Sequence, residues 1–371
     1  MNRSCRIDFH YRKRISLFRD EEVFAWNGSG CSTVLSGGDF VEITGGEPPL
    51  LAACSENINC FSDRALEKIR RIGKKSERFA LYFESRSTRK EYLFCDGEKA
   101  CAIEKGLICG CSAMVGGAPC NVQLAFDCFG ESVALRALSL IEEFVDHAAL
   151  RKKDVIPVRG DLVFSERASG MFIHEFIGHS LEQDNYGHSW MSTGEVSGNL
   201  SVFENWNTSD VYDDLGGLVP SNLPILTNGQ VSNLMHSGNY RVSFFDNPFP
   251  GIRMRKMRVG LGSKTKGDLV GETARGVFID EIDDGEIEHS TGEISFNIRK
   301  ARLIENGELS DYLIPFAFFA NISNLGSSFL EFGDRANPSS IACGKGGSLV
   351  VVGVESPAMK LHSFERVGRC G

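Results

Sequence analysis

The stretch SGMFIHEFIGHSLEQD (169–184) sets two histidines and a glutamate inside one apolar run. The run is apolar enough on one side to form a buried helix. A histidine followed directly by a glutamate offers a metal ligand and a proton acceptor from adjacent positions, as at the start of a zinc-hydrolase helix. Here, however, His179 follows His174 by five residues rather than four. At about 100° per residue, five steps leave the second ring about 140° away from the first. A straight α-helix would not aim both rings at one ion. Either a π-bulge or a helix that ends near His179 would relieve the mismatch. Gly178 lowers the cost of both distortions.

Two imidazoles are an incomplete donor set. Zinc takes imidazole, thiolate or carboxylate ligands, and a catalytic site keeps one position for water. Four residues are candidates for the third ligand. Glu182 is three residues after His179, a reachable helical offset. Asp184 and His188 follow in a loop-like segment. Cys343 lies far downstream in IACGKGGSLVVVG, a lone cysteine followed by glycines and a strand-like run. The residues alone leave the choice open, and a buried structural thiol is the ordinary alternative for Cys343.

The 371 residues suffice for one large domain or two ordinary ones. The composition, 42% hydrophobic and 24% charged, is that of a globular chain rather than a disordered one. A formal net charge of −9 argues against nucleic acid as a partner. The densest basic runs are RKKD (151–154) and RMRKMR (253–258). No apolar run is long enough to span a bilayer, and the basic start lacks an apolar core, so a cytoplasmic location without membrane partners is expected. Twelve cysteines without a secretory signal or a C-x-x-C pair point to buried thiols rather than disulfides.

Along the chain, residues 1–150 read as a mixed α and β region. SDRALEKIRRIGKK (62–75) and ESVALRALSLIEEFVDHAAL (131–150) are its helices. RFALYFES and KEYLFCDGEKACAIEKGLICGCSAMV read as strands with an Asp-Gly turn in the second. RKKDVIPVRGD then serves as a linker with Pro157 and Gly160 as breakers. Residues 151–371 form a β-rich unit. ILTNGQVSNLM (225–235) and LIENGELSDYL (303–313) each set Asn-Gly between apolar runs, a hairpin signal. The expected class is α+β, with a mixed N-terminal domain and a β-rich C-terminal domain.

Several ordered segments together resemble the TldD/PmbA metallopeptidases. HEFIGHSLEQD is similar to that family's H-E-x-x-G-H-x-L-E-x-D signature, and CGKGGSLVVVG to its C-G-K-x-G-Q segment. Between them, VYDDLGGLVPSNLPILTNG, GIRMRKMRVGLG and STGEISFNIRKARLIENGEL resemble further family blocks in the same order. The resemblance covers about 160–371 well and 75–150 weakly. It departs at Ser348, where the family has Gln, and at Ile252, where it has Pro.

The resemblance implies a zinc peptidase with His174, His179 and Cys343 as metal ligands, Glu175 as general base and Glu182 behind a ligand. It implies unfolded peptides or small proteins as substrates, with leader-peptide trimming as one such role. It also implies a homodimer, or a heterodimer with a paralogue lacking the metal motif. Residues 1–150 would then serve dimerisation or substrate enclosure, and 151–371 would be the metallopeptidase domain. Arg253 and Lys345 are further candidates, for contact with substrate or oxyanion. Asp213 and Asp214 read as turn residues. A different class, a non-catalytic partner subunit that binds peptide, would be expected to lack His174, Glu175 or Cys343, and all three are present.

Overall fold

The structure, a computed structural model, describes residues 5–18, 23–35, 40–42, 62–93, 99–128, 130–150, 159–187, 196, 199–204, 211–212, 218–219, 221–235, 241–244, 247–321, 330–345 and 348–365. The expected Asp-Gly turn at 96–97, residues 151–158 of the expected linker, His188, Asp213 and Asp214 lie outside them, whereas the linker's last three residues, 159–161, open the strand Arg159–Phe164 rather than breaking the chain.

The N-terminal part is a six-stranded antiparallel sheet under two helices. Its elements are β1 (Cys5–Phe18), β2 (Val23–Leu35), β3 (Phe40–Glu42), α1 (Asp63–Lys74), β4 (Arg78–Leu93), β5 (Lys99–Val115), β6 (Ala118–Phe126) and α2 (Glu131–Ala148). The strand order is β3-β2-β1-β4-β5-β6. Every second residue of β5 from Leu107 to Val115 is buried, as are Cys120, Val122 and Leu124 of β6. These period-2 positions share the face of the sheet that the helices cover. Cys109 and Cys111 therefore enter a core with Ile72, Leu138, Ile141 and Val145, and burial pushes both thiols up to about 12. They are small apolar side chains here, as the composition suggested.

Both helices fall where the sequence placed them. Ser62 caps α1, its side chain accepting from the Ala65 amide. The helices are joined by Arg71, whose guanidinium meets both carboxylate oxygens of Glu142 at 2.5 and 2.6 Å, and by Lys75 with Asp146.

The C-terminal part is built on an eleven-stranded mixed sheet. In chain order come β7 (Arg159–Phe164), α3 (Glu166–Ile173), a π-turn (His174–Gly178), a 3₁₀ turn (His179–Leu181) and α4 (Gln183–Tyr186). Next are β8 (Val202–Glu204), β9 (Val211–Tyr212), β10 (Leu218–Val219), β11 (Leu223–Thr227), β12 (Gln230–Val231), β13 (Arg241–Phe244), β14 (Asn247–Ile252) and β15 (Lys256–Val259). The chain closes with α5 (Lys266–Gly271), β16 (Arg275–Glu288), β17 (Glu293–Glu305), β18 (Glu308–Tyr312), β19 (Phe316–Asn321), β20 (Leu330–Lys345) and β21 (Ser348–Glu365). The large sheet runs β12-β11-β8-β15-β21-β7-β16-β17-β18, with β19 on β17 and β20 on β21. The fold is α+β, dominated by this sheet.

Both Asn-Gly pairs form the expected hairpin turns: Asn228 and Gly229, and Asn306 and Gly307, all have positive φ. RMRKMR is no basic patch. Met254 and Met257 are buried, Arg253 is buried with them, and Arg258 lies 4.9 Å over the Phe203 ring.

α3 carries the apolar face of the opening stretch into the core. Ser165 follows β7 and caps the helix, accepting from the Ala168 amide while its hydroxyl donates to the Asp280 carbonyl. Phe172 packs between Phe164, Phe176 and Phe296 at ring distances of 5.0–5.5 Å. Burying an aromatic side chain of this size stabilises by about 1.5–3 kcal/mol. This anchoring fixes where the histidines that follow must fall.

Candidate metal centre

The extra residue between the histidines is absorbed as a π-turn. The amide of His179 donates to the carbonyl of His174, five residues back, and the chain then tightens into a 3₁₀ turn. Both forms of relief foreseen from the spacing occur, one after the other. A π-turn advances less per residue than an α-turn, so five residues bring the chain back to nearly the same side. The His174 and His179 rings consequently meet edge to face, with centroids 4.8 Å apart.

Gly178 matters here through space. Its φ of −58° is ordinary helix, but a Cβ at this position would lie 1.5 Å from the Cε of buried Met254. Met254 belongs to the RMRKMR run and fills the groove left by the missing side chain.

Cys343, near the end of β20, completes a cluster. The ligand atoms of His174, His179 and Cys343 lie within 4.8 Å of one another, and all three residues are buried. Nε2 of His179 is 3.4 Å from the Cys343 sulfur. Among the three candidates that fall within the described residues, Cys343 is the one in this cluster. Glu182 instead sits behind His179, its Oε2 3.2 Å from Nδ1. Asp184 bonds to Lys345, and His188 lies outside the described residues.

The donor set fits a metal ion. His174 is fully buried, yet neither ring nitrogen has a hydrogen-bond partner. A buried, unpartnered imidazole is costly unless something else takes its lone pair. Two imidazoles and one thiolate leave one position open on a tetrahedral ion. A carboxylate behind a ligating histidine, as Glu182 stands behind His179, is the usual support for such a site.

The electrostatics follow from the burial. Burial, with His179 and Arg253 nearby, lowers His174 to about 3, so its ring is neutral and able to donate a lone pair. Burial pushes Glu175 up to about 7, against the pull of His179 and with Glu182, Asp284 and Glu286 adding to the rise. Burial works to lower His179, but Glu182 and Cys343 raise it well above its ordinary value. Burial opposes ionisation of Glu182, yet His179 and Lys345 hold it down at about 2. The carboxylate oxygens of Glu175 lie 4.0 Å from Nε2 of His174 and 3.9 Å from Nε2 of His179. Gly285 of β16 makes room for it, since a Cβ there would lie 2.8 Å from the Glu175 Cγ.

Lys345 and Arg253, considered for an oxyanion role, both make hydrogen bonds within the site. The Lys345 ammonium donates to Glu182 at 2.6 Å and to both oxygens of Asp184 at 2.7 and 2.8 Å. Arg253 is buried and donates to the Lys345 carbonyl. Asn185 adds two bonds through its side-chain amide, to the His179 carbonyl at 3.0 Å and to Glu182 at 3.2 Å.

Glu175 and His179 open onto a cleft of about 590 Å³. One wall is β20 at 340–342 and 344–345, the other is β16 at 282–287, and Gln123 and Ala125 of β6 contribute from the N-terminal part. His289, Asp284 and Glu286 line the same cleft and were not singled out from the sequence. Their signal was present, since EIDDGEIEH (281–289) stands immediately before the STGEISF block, but only the fold turns this strand toward the histidines.

Similarity to known proteins agrees with this geometry. A metalloprotease TldD homologue of Haemophilus influenzae is 25% identical over 62% of the chain and 53% of its own length. A metalloprotease of Methanothermobacter thermautotrophicus is 23% identical over 55% of the chain and 49% of its own length. The chain thus spans about half the length of the curated relatives it matches. Among solved structures, TldE from Thermococcus kodakarensis superposes with a TM-score of 0.71 at 12% identity, covering 99% of this chain and 97% of that one. A Thermotoga maritima protein described as a putative modulator of a DNA gyrase gives 0.65 at 13%, covering 99% and 96%. These two likenesses establish the fold. Residues 157–368, more than half of the chain, match the PmbA/TldA metallopeptidase C-terminal domain, and the chain belongs to that family.

Proposed function

We propose that the protein is a zinc-dependent peptidase acting on unfolded peptides or small proteins, with His174, His179 and Cys343 holding the metal and Glu175 as general base. The observation that carries this is the convergence of two imidazoles and a thiol beside a buried glutamate at the wall of a cleft. A zinc ion on these donors would polarise a peptide carbonyl and bring the pKa of its water to about 7. Glu175, placed near both His Nε2 atoms, would take the proton of the attacking water and pass it to the leaving amine. Its upward shift to about 7 suits a group that must both accept and return a proton near neutrality.

The cleft walls favour an extended substrate. β20 pairs with β21 along one edge, and its opposite edge at 340–345 has no strand partner among the described residues. β7 stops pairing with β16 at Ile279, so among the described residues 282–288 pairs on one side alone, with β17. A peptide between them could add as a strand, read through its backbone rather than its sequence. Trimming of leader peptides belongs to this substrate class. The involvement of β6 supports a role for residues 1–150 in enclosing substrate, with 151–371 as the metallopeptidase domain. Pairing with a second copy or a paralogue belongs to the same proposal and is supported by family membership. A cytoplasmic setting also belongs to it; among the described residues no helix is long and apolar enough to cross a membrane.

The test is digestion of a denatured protein mixture, read by mass spectrometry, beside Glu175→Ala with equal metal content. New cleavage products from the wild type alone support a peptidase. Identical digests from both remove it and leave a peptide-binding partner subunit as the better reading.

A further inference from the structure

The donors come from two separate segments. His174 begins the π-turn and His179 the 3₁₀ turn that follows it, while Cys343 sits near the end of β20, 164 residues after His179. Lys345, two residues beyond Cys343, spans the gap. Its ammonium meets Glu182 and Asp184, 163 and 161 residues away in sequence. Its carbonyl accepts from buried Arg253. One residue at the strand end is thus tethered through side chain and backbone alike.

Glu182 is the other half of this connection. It is fully buried, and its Oε2 accepts from Lys345, His179 Nδ1 and Asn185. A carboxylate can only accept, so His179 carries a proton on Nδ1, and Nε2, 3.4 Å from the Cys343 sulfur, is the ring atom left to a shared ion.

We propose that Lys345 is a positioning residue of the metal centre: by clasping Glu182 and Asp184 it holds the His179 ring in its ligating tautomer and Cys343 within reach of the same ion, and so sets how tightly that ion is retained. This role rests on the triad holding a cation. It assigns Lys345 a structural hold on the metal rather than a contact with substrate. Without Lys345, Glu182 loses its shortest hydrogen bond, and the end of β20 loses this side-chain link to Glu182 and Asp184.

The experiment titrates metal-free protein with Co²⁺ and follows both thiolate-to-cobalt absorption and the apparent Kd in competition with a chelator. Lys345→Met should weaken cobalt binding about 10- to 100-fold, the range for loss of a group that orients a ligand. It should also lower the thiolate absorption per bound cobalt. Lys345→Arg, which keeps the charge and the reach, should recover most of both. A merely structural role would lower the melting temperature and leave the spectrum of the loaded protein unchanged. Wild-type affinity and spectrum in Lys345→Met overturn the proposal and leave the triad standing. A wild-type chain that binds no cobalt through a thiolate overturns the triad and this role together. If Lys345→Met does not fold, the comparison becomes Glu182→Gln against Glu182→Gln with Lys345→Met, which avoids a stranded buried carboxylate. The double variant must bind more weakly, and equal affinity overturns the proposal.

Discussion

His179 and Cys343 are separated by 164 residues in sequence and by 3.4 Å between Nε2 and sulfur. Two long-range constraints meet at that contact. The π-turn delivers the ring from one side, and the end of the longest antiparallel pairing in the C-terminal sheet, β20 with β21, delivers the thiol from the other.

Glu175 has no place among the three donors, so its removal separates chemistry from binding. Glu175→Ala should retain the metal content of the wild type and lower kcat by about 10²- to 10⁴-fold, the range for loss of a general base. Metal analysis beside steady-state kinetics checks both halves. Loss of metal together with activity would make Glu175 a ligand instead.

The Gly178–Met254 contact predicts a paired size effect. Gly178→Ala places a methyl where Met254 lies and should cost about 1–3 kcal/mol, the range for overpacking a core. Met254→Ala should cost about 2–5 kcal/mol through the cavity it leaves. The double variant should be more stable than the sum implies by about 0.5–3 kcal/mol, because each change relieves the other. Urea denaturation of the four proteins closes the cycle, and simple additivity would show that the two side chains do not share that space.

The pH dependence of the metal-free protein follows from the shifts at the site. Glu175 is raised to about 7, so its stabilising protonation is complete below the ordinary carboxylate range and lost as pH rises through 7. His179 is raised as well, and its contribution is full below about 6.5 and lost at higher pH. His174 is depressed to about 3 and acts in the opposite sense, but only below about 6.5. Of these three groups, only the two raised ones act above pH 6.5. The metal-free protein should therefore melt lower at pH 8 than at pH 6.5, and Glu175→Gln should flatten that fall. Thermal melts at the two pH values measure it, and an unchanged slope in the variant would remove Glu175 as a source.

The sequence revealed what was local. The five-residue spacing could be read as a distorted helix because α-helix geometry fixes what five steps must do. Both Asn-Gly hairpins were legible because a two-residue turn needs positive φ. Helix α1 was legible from its Ser62 start and its periodicity, and α2 from its periodicity alone. What was missed is non-local. β1 was read only as a basic start without an apolar core, yet it lies between β2 and β4 in the sheet. RFALYFES and the following KEYL were read as separate strands, but they form one continuous β4 through SRSTR. The Lys345–Glu182 link and the β16 wall of the cleft join residues more than 90 positions apart, and no local pattern marks such partners.

The most direct measurement is the metal content of Cys343→Ala beside that of the wild type, each purified with added zinc and dialysed. The account predicts one tightly held metal ion per wild-type chain and little or none in the variant, with the fold retained by circular dichroism. A variant that keeps a full equivalent of metal would contradict it and move the third ligand to a carboxylate or histidine nearer the helix.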